Sequence, residues 1–169
     1  MESRDLLLTA FDNIEELVRT ALDGIDPALL TARIDPEANT IGWLVWHLTR
    51  GQDHQVAEVA GTGQAYTEGG WADRFGLPFD ATATGYGFSS EDVGRTVITD
   101  PQLLVDYHAD VHRRTAEFLR TLTAADLERI VDRRWDPPVT LGVRLLSIIG
   151  DDLQHAGQAA LLRGSLERR

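Results

Sequence analysis

The amino-acid sequence predicts an all-α fold, a four-helix bundle whose second and third helices are joined by a long irregular loop. Three observations predict it. Four stretches of roughly twenty residues repeat apolar side chains at the three-and-four spacing of a helix. No stretch gives a convincing strand signal. Between the second and third stretches, residues 61–99 lose any regular period yet are rich in glycine and aromatic residues.

The first helix is expected from Ser3 to Leu22, with Leu6, Leu7, Ala10, Phe11, Ile14, Leu17, Val18 and Ala21 on one stripe and Gly24 closing its end. The second starts after Asn39 or Thr40, either a plausible cap, and runs to Ala60. Ile41, Leu44, Val45, Leu48, Val56 and Val59 form its main apolar face. Trp43, Trp46 and Ala57 add a second apolar sector, so the helix is expected to be contacted on more than one side.

The connection that follows, "GTGQAYTEGGWADRFGLPFDATATGYGFSS", is unusually long for a compact domain, and such loops are more often functional or disordered. Tyr66, Trp71, Phe75, Phe79, Tyr86 and Phe88 favour packing over disorder. The third helix spans Pro101 to Leu122, with proline in the first turn, where its missing N–H costs nothing. Leu104, Tyr107, Val111, Thr115, Phe118 and Leu122 line its core side. A helical turn at "TAADLERI" and the segment "RRWDPPVT" lead to a fourth helix, Thr140 to Leu162, ended by Gly164. At 169 residues the chain suits one domain over 1–169.

Composition narrows the function. Apolar content of 43% and charged content of 25% are those of an ordinary globular protein. No run approaches the roughly 18 apolar residues of a membrane span. The start, "MESRDLLLTAFDN", lacks the basic region and cleavage site of a secretory signal, so a cytoplasmic location is expected. A net charge of −11 disfavours binding to a phosphate backbone. The chain has no cysteine, which excludes disulfides, thiolate metal ligands and a cysteine nucleophile of its own.

The fourth helix poses a problem. Leu141, Leu145, Ile148, Ala159 and Leu162 define its buried sector at about 100° per residue. Asp152 and His155 fall inside that sector, with Asp151 and Gln158 on its edge. A buried carboxylate costs several kcal/mol, on the order expected for an unpaired ion, unless a cation or hydrogen bonds offset it. On the second helix, His47 and His54 lie on nearly the same side. Imidazoles and a carboxylate from two facing helices are the ingredients of a metal site in a bundle core. Either Asp151 or Asp152 suits the carboxylate role at this point. His108 and His112 on the third helix are also four apart, and surface pairing with aspartates is the simpler reading for them.

Three segments, "NTIGWLVWHL", "LPFDATATGYGFSS" and "VRLLSIIGDDLQHAGQ", together with the helix order, resemble the DinB-like metalloprotein superfamily. The likeness is greatest to its actinobacterial branch of mycothiol-dependent enzymes, the mycothiol S-transferase and maleylpyruvate isomerase type. The resemblance implies a divalent metal, zinc by preference, held by three ligands from the second and fourth helices. Carried onto this sequence they are His47, Asp151 and His155. The first fourth-helix ligand is most often histidine in the superfamily and glutamate in the isomerase type; aspartate here is one methylene shorter. The resemblance implies a metal-dependent thiol S-transferase that joins mycothiol to a small electrophile. Its alternatives are a metal-binding bundle without catalysis and a thiol-dependent isomerase. Arg144, seven residues before Asp151 on the same side, is the candidate to hold a carboxylate or sugar group of the cosubstrate. A homodimer is the expected assembly.

Overall fold

The computed structural model describes residues 2–169, and its long helices begin where a side chain closes the first turn. Helix α1 (Ser3–Leu22) opens on a reciprocal pair in which Glu2 and Asp5 satisfy each other's backbone. A 3-10 turn, Pro27–Leu30, leads to α2 (Ile41–Ala60), where Thr40 Oγ1 accepts the Trp43 N–H at 3.1 Å. That helix ends on Gly61, at φ +71°, the left-handed conformation that glycine adopts without strain.

The connection after α2 is not irregular throughout. It folds into α3 (Ala65–Glu68), α4 (Trp71–Phe75) and α5 (Ser90–Arg95), each too short to show a helical period in sequence. Helix α6 (Pro101–Thr121) follows, capped by Asp100 on the Gln102 N–H at 2.9 Å. A 3-10 turn, Ala125–Glu128, precedes a two-stranded antiparallel ribbon, β1 (Ile130–Asp132) and β2 (Val139–Thr140). With three and two residues these strands offer no alternation to read.

Helix α7 (Leu141–Leu166) runs through Gly164 instead of ending there. A glycine inside a helix costs about 1 kcal/mol, and two features oppose that cost. Arg163 Nη1 donates to the carbonyls of Thr20, Ala21 and Asp23 at the end of α1. Leu166 packs against the core.

In the bundle, α2 packs against α7 and α6, and α1 packs against the same two helices from the other side. Both apolar sectors of α2 are covered: every residue from Ile41 to Arg50 is buried. His47, Thr49 and Arg50 lie within that run, so their polar atoms need partners inside the protein. Among the described residues no helix is long and apolar enough to cross a membrane.

Candidate metal centre

The α2–α7 seam brings His47, Asp151 and His155 together, with one ligand atom from each within 4.8 Å of the others. The His47 ring stacks on Trp43, centroids 4.6 Å apart, and meets the His155 ring edge-on at 5.0 Å. His155 Nε2 lies 3.5 Å from Asp151 Oδ1.

Both imidazoles are oriented by a bond to their other nitrogen. His47 Nδ1 lies 2.6 Å from the Thr84 carbonyl oxygen. A carbonyl only accepts, so Nδ1 carries the proton and Nε2 is the nitrogen with a free lone pair. His155 Nδ1 donates in the same way to Gln158 Oε1 at 2.9 Å. Metal-binding histidines are held by such outer bonds. Burial pushes the His47 imidazole below its ordinary value of 6.5, outweighing the opposing effect of the Thr84 bond. A neutral ring at neutral pH is the form a metal requires.

The residue after Thr84 is Gly85, at φ +90°. A Cβ there would sit 2.9 Å from His47 Nδ1, 3.1 Å from the Trp46 ring and 3.3 Å from Trp43 Nε1. Only glycine lets the connection come this close to the imidazole.

Two imidazoles and one carboxylate fit a divalent cation. Three protein donors leave a fourth position for an exogenous ligand, as in catalytic zinc sites. His47 and Asp151 line a cleft of about 770 Å³, with Tyr86 and Trp135 also on its wall. Arg144 lies in the same cleft. Its Nη2 donates to Asp132 Oδ2 at 3.1 Å and its Nη1 to Glu58 Oε2 at 3.3 Å. Arg134 makes two further side-chain bonds to Asp132, and these hold that carboxyl well below the usual carboxylate range.

The other sequence candidates lie elsewhere. His54 is exposed on the cleft wall, its Nδ1 3.1 Å from Gln64 Nε2. His112 Nε2 meets Asp12 and Glu15 of α1 at 3.1 and 3.5 Å. His108 is buried, and its Nδ1 lies 3.0 Å from Thr49 Oγ1. Asp152 is inward, but it bonds neither a ligand histidine nor an arginine. Both its carboxylate oxygens are buried without a partner. One residue beyond Asp151, it is turned about 100° around the helix. Burial, with the charge of Asp151 adding to it, pushes the Asp152 carboxyl well above the usual range.

Sequence reasoning missed the polar cluster one turn along α2. Arg50 is fully buried. It donates to the carbonyls of Ala83 (3.1 Å) and Ala81 (3.3 Å) and to Gln64 Oε1 (3.0 Å), with its guanidinium 4.2 Å over the Tyr66 ring. Asp53 accepts the N–H groups of Ala65 and Tyr66, both at 2.8 Å, and the Tyr107 hydroxyl at 2.9 Å. The available signal was the oppositely charged Arg50/Asp53 pair at i, i+3 on a helix with two apolar faces.

A helical bundle with two histidines and an aspartate converging from its second and last long helices defines a class, the bundles equipped to hold a divalent cation between helices. The chain belongs to the DinB superfamily, whose family model matches residues 10–159. Its structure is similar to the crystal structure of a conserved protein from Enterococcus faecalis, at 28% identity and a TM-score of 0.90, covering 96% of each chain. No curated protein matches the chain.

Proposed function

We propose that the protein is a metal-dependent thiol S-transferase that uses a low-molecular-weight thiol, with mycothiol the cosubstrate that the sequence resemblance favours. The observation that carries this reading is the His47–Asp151–His155 convergence, with His47 and Asp151 on the wall of an open cleft, in a chain that has no cysteine of its own. A divalent cation held there, zinc by preference, supplies a Lewis acid that favours a thiolate at neutral pH. The nucleophile then arrives with the cosubstrate.

The chain's own residues supply orientation. Thr84 and Gln158 hold the two imidazoles with their protonated nitrogens turned to the protein. In this reading Arg144, held by Asp132 and Glu58, takes a carboxylate or sugar group of the thiol cosubstrate in the cleft. Tyr86 and Trp135, both exposed, flank the space left for the electrophile. The same reading takes the protein to be cytoplasmic, where small thiols stay reduced. It also takes it to be a homodimer. In support, Val143, Leu146, Leu153 and Leu161 lie exposed on one face of α7.

The test is elemental analysis of untagged wild type beside His155→Ala, followed by incubation with mycothiol and an activated aryl halide. The expected result is about one metal per chain and conjugate formation in wild type, with both lost in the variant. Conjugation retained by a metal-free, folded His155→Ala would overturn the scheme. Metal without turnover would leave a metal-binding bundle, and thiol recovered unchanged beside an altered substrate would make the protein an isomerase.

A further inference from the structure

The segment 80–87 has no helix or strand, yet it carries the carbonyl that orients His47. Its backbone oxygens are received by α2. Ala81 O and Ala83 O accept from the Arg50 guanidinium, and Thr84 O accepts from His47 Nδ1. Arg50 and His47 are three apart on α2, so adjacent turns of one rigid helix grip nearby carbonyls of one loop.

The Arg50 charge is fully buried, and a buried guanidinium is destabilising unless its donors are satisfied. Anchoring the connection does not by itself require such a group. The rings of Tyr66, Phe75 and Phe88 already pack the connection onto the bundle. What the planar guanidinium adds is direction: Nε and Nη2 point from one plane at two carbonyls two residues apart.

We propose that Arg50 is a positioning residue for His47: by holding the Ala81 and Ala83 carbonyls against α2, it fixes the Thr84 carbonyl that keeps His47 Nδ1–H engaged and reserves Nε2 for a metal. The proposal rests on the metal reading for its second half only. The Arg50–loop–His47 relay is a property of the metal-free chain.

Arg50→Lys tests it, since lysine keeps the buried charge beside Asp53 but loses the fork. Two readouts apply. In metal-free protein, a downfield His47 Nδ1–H proton resonance is expected in wild type, slowed in exchange by the Thr84 bond, and Arg50→Lys is expected to lose it to solvent exchange. The His108 Nδ1–H signal, buried against Thr49 Oγ1, is expected to stay. Zinc affinity, measured by competition with a chromophoric chelator, is expected to fall tenfold or more, the scale of losing an outer-sphere partner. Gly85→Ala reaches the same contact without touching Arg50. Its Cβ displaces the segment from His47, so it is expected to erase the same resonance and weaken zinc binding by a similar factor.

A folded Arg50→Lys with lower thermal stability but unchanged His47 signal and zinc affinity would make Arg50 a structural strut and overturn the proposal. If Arg50→Lys does not fold, Gly85→Ala decides: an undisturbed His47 signal there overturns the proposal as well. A wild type that binds no zinc, yet loses the His47 signal on Arg50→Lys, would end the metal reading and leave the relay standing.

Discussion

On its α6 side, α2 presents Thr49, Gln52 and Asp53; on its α7 side, it presents His47. The α6-facing residues find protein partners. Thr49 Oγ1 donates to the Val45 carbonyl and so accepts from His108 Nδ1–H, while Gln52 Nε2 donates to Thr115 Oγ1 at 2.8 Å. Asp53 accepts the Tyr107 hydroxyl and two backbone N–H groups. On the α7 side, each histidine bonds the protein with one nitrogen and keeps the other for a common point shared with Asp151. Polar residues of similar type thus serve opposite ends on one helix. On the α6 side Gln52 Oε1 and His108 Nε2 also lack partners, but they do not converge with other ligand atoms; what sets the α7 side apart is that its free lone pairs meet at one point.

The comparison can be broken most sharply at Asp53. If the α6 seam is structural, Asp53→Ala should cost on the order of 3–5 kcal/mol, because it removes the buried carboxylate 3.4 Å from Arg50 Nη1 and strands two backbone N–H groups. Urea unfolding measures it. A loss below about 1 kcal/mol, the scale of an exposed pair, would mean that the seam relaxes around the gap.

His108 gives the next largest effect. Burial pushes its imidazole down to about 3 from an ordinary 6.5, with His112 adding to the shift. Between those values the unfolded chain binds the extra proton and the folded chain does not. Stability therefore falls as pH falls through that window, by up to about 1.4 kcal/mol per pH unit from this residue. Urea melts from pH 6.5 down to 4 should show a shallower decline for His108→Gln than for wild type. Equal slopes would mean that His108 takes up its proton without unfolding. Metal content should be the same in both proteins.

The smallest effect sharpens the contrast between neighbours on α7. Asp151 is half-exposed beside His155, whereas Asp152 is buried with neither oxygen bonded. Replacing an unpartnered buried carboxyl with an apolar group of similar size removes its desolvation cost, so Asp152→Leu should raise stability by about 1–2 kcal/mol. A fall in its midpoint of unfolding would show that Asp152 has a partner in solution.

The fold was legible because long helices announce themselves over many residues. Thr40, Gly61 and Pro101 stand where the chain changes direction, and the stripes of α1 and α6 follow the helical period. The connection was less legible because its order comes from distant donors and acceptors. Ala65 and Tyr66 are anchored by Asp53, twelve and thirteen residues away, and Ala81 by Arg50, thirty-one away. No local pattern carries such a bond. At the site, type and spacing offered His47, His54, His155 and either Asp151 or Asp152, and the family resemblance narrowed these to His47, Asp151 and His155. Thr84 could not be singled out, because it contributes a backbone oxygen that every residue possesses. Asp152 was legible as inward, but no sequence pattern shows whether an inward residue finds a partner.

Gly85 carries a consequence for how this chain can drift. The segments on either side of it are held by side chains of α2, and those grips tolerate exchange of the loop's own exposed residues, Thr82 and Tyr86 among them. At position 85 the permitted alphabet shrinks to a single letter, because the neighbour that sets the limit is an imidazole on another element. Insertions and deletions in 61–99 are then filtered by one demand: whatever route the chain takes, it must arrive at His47 with a carbonyl followed by a residue that has no side chain.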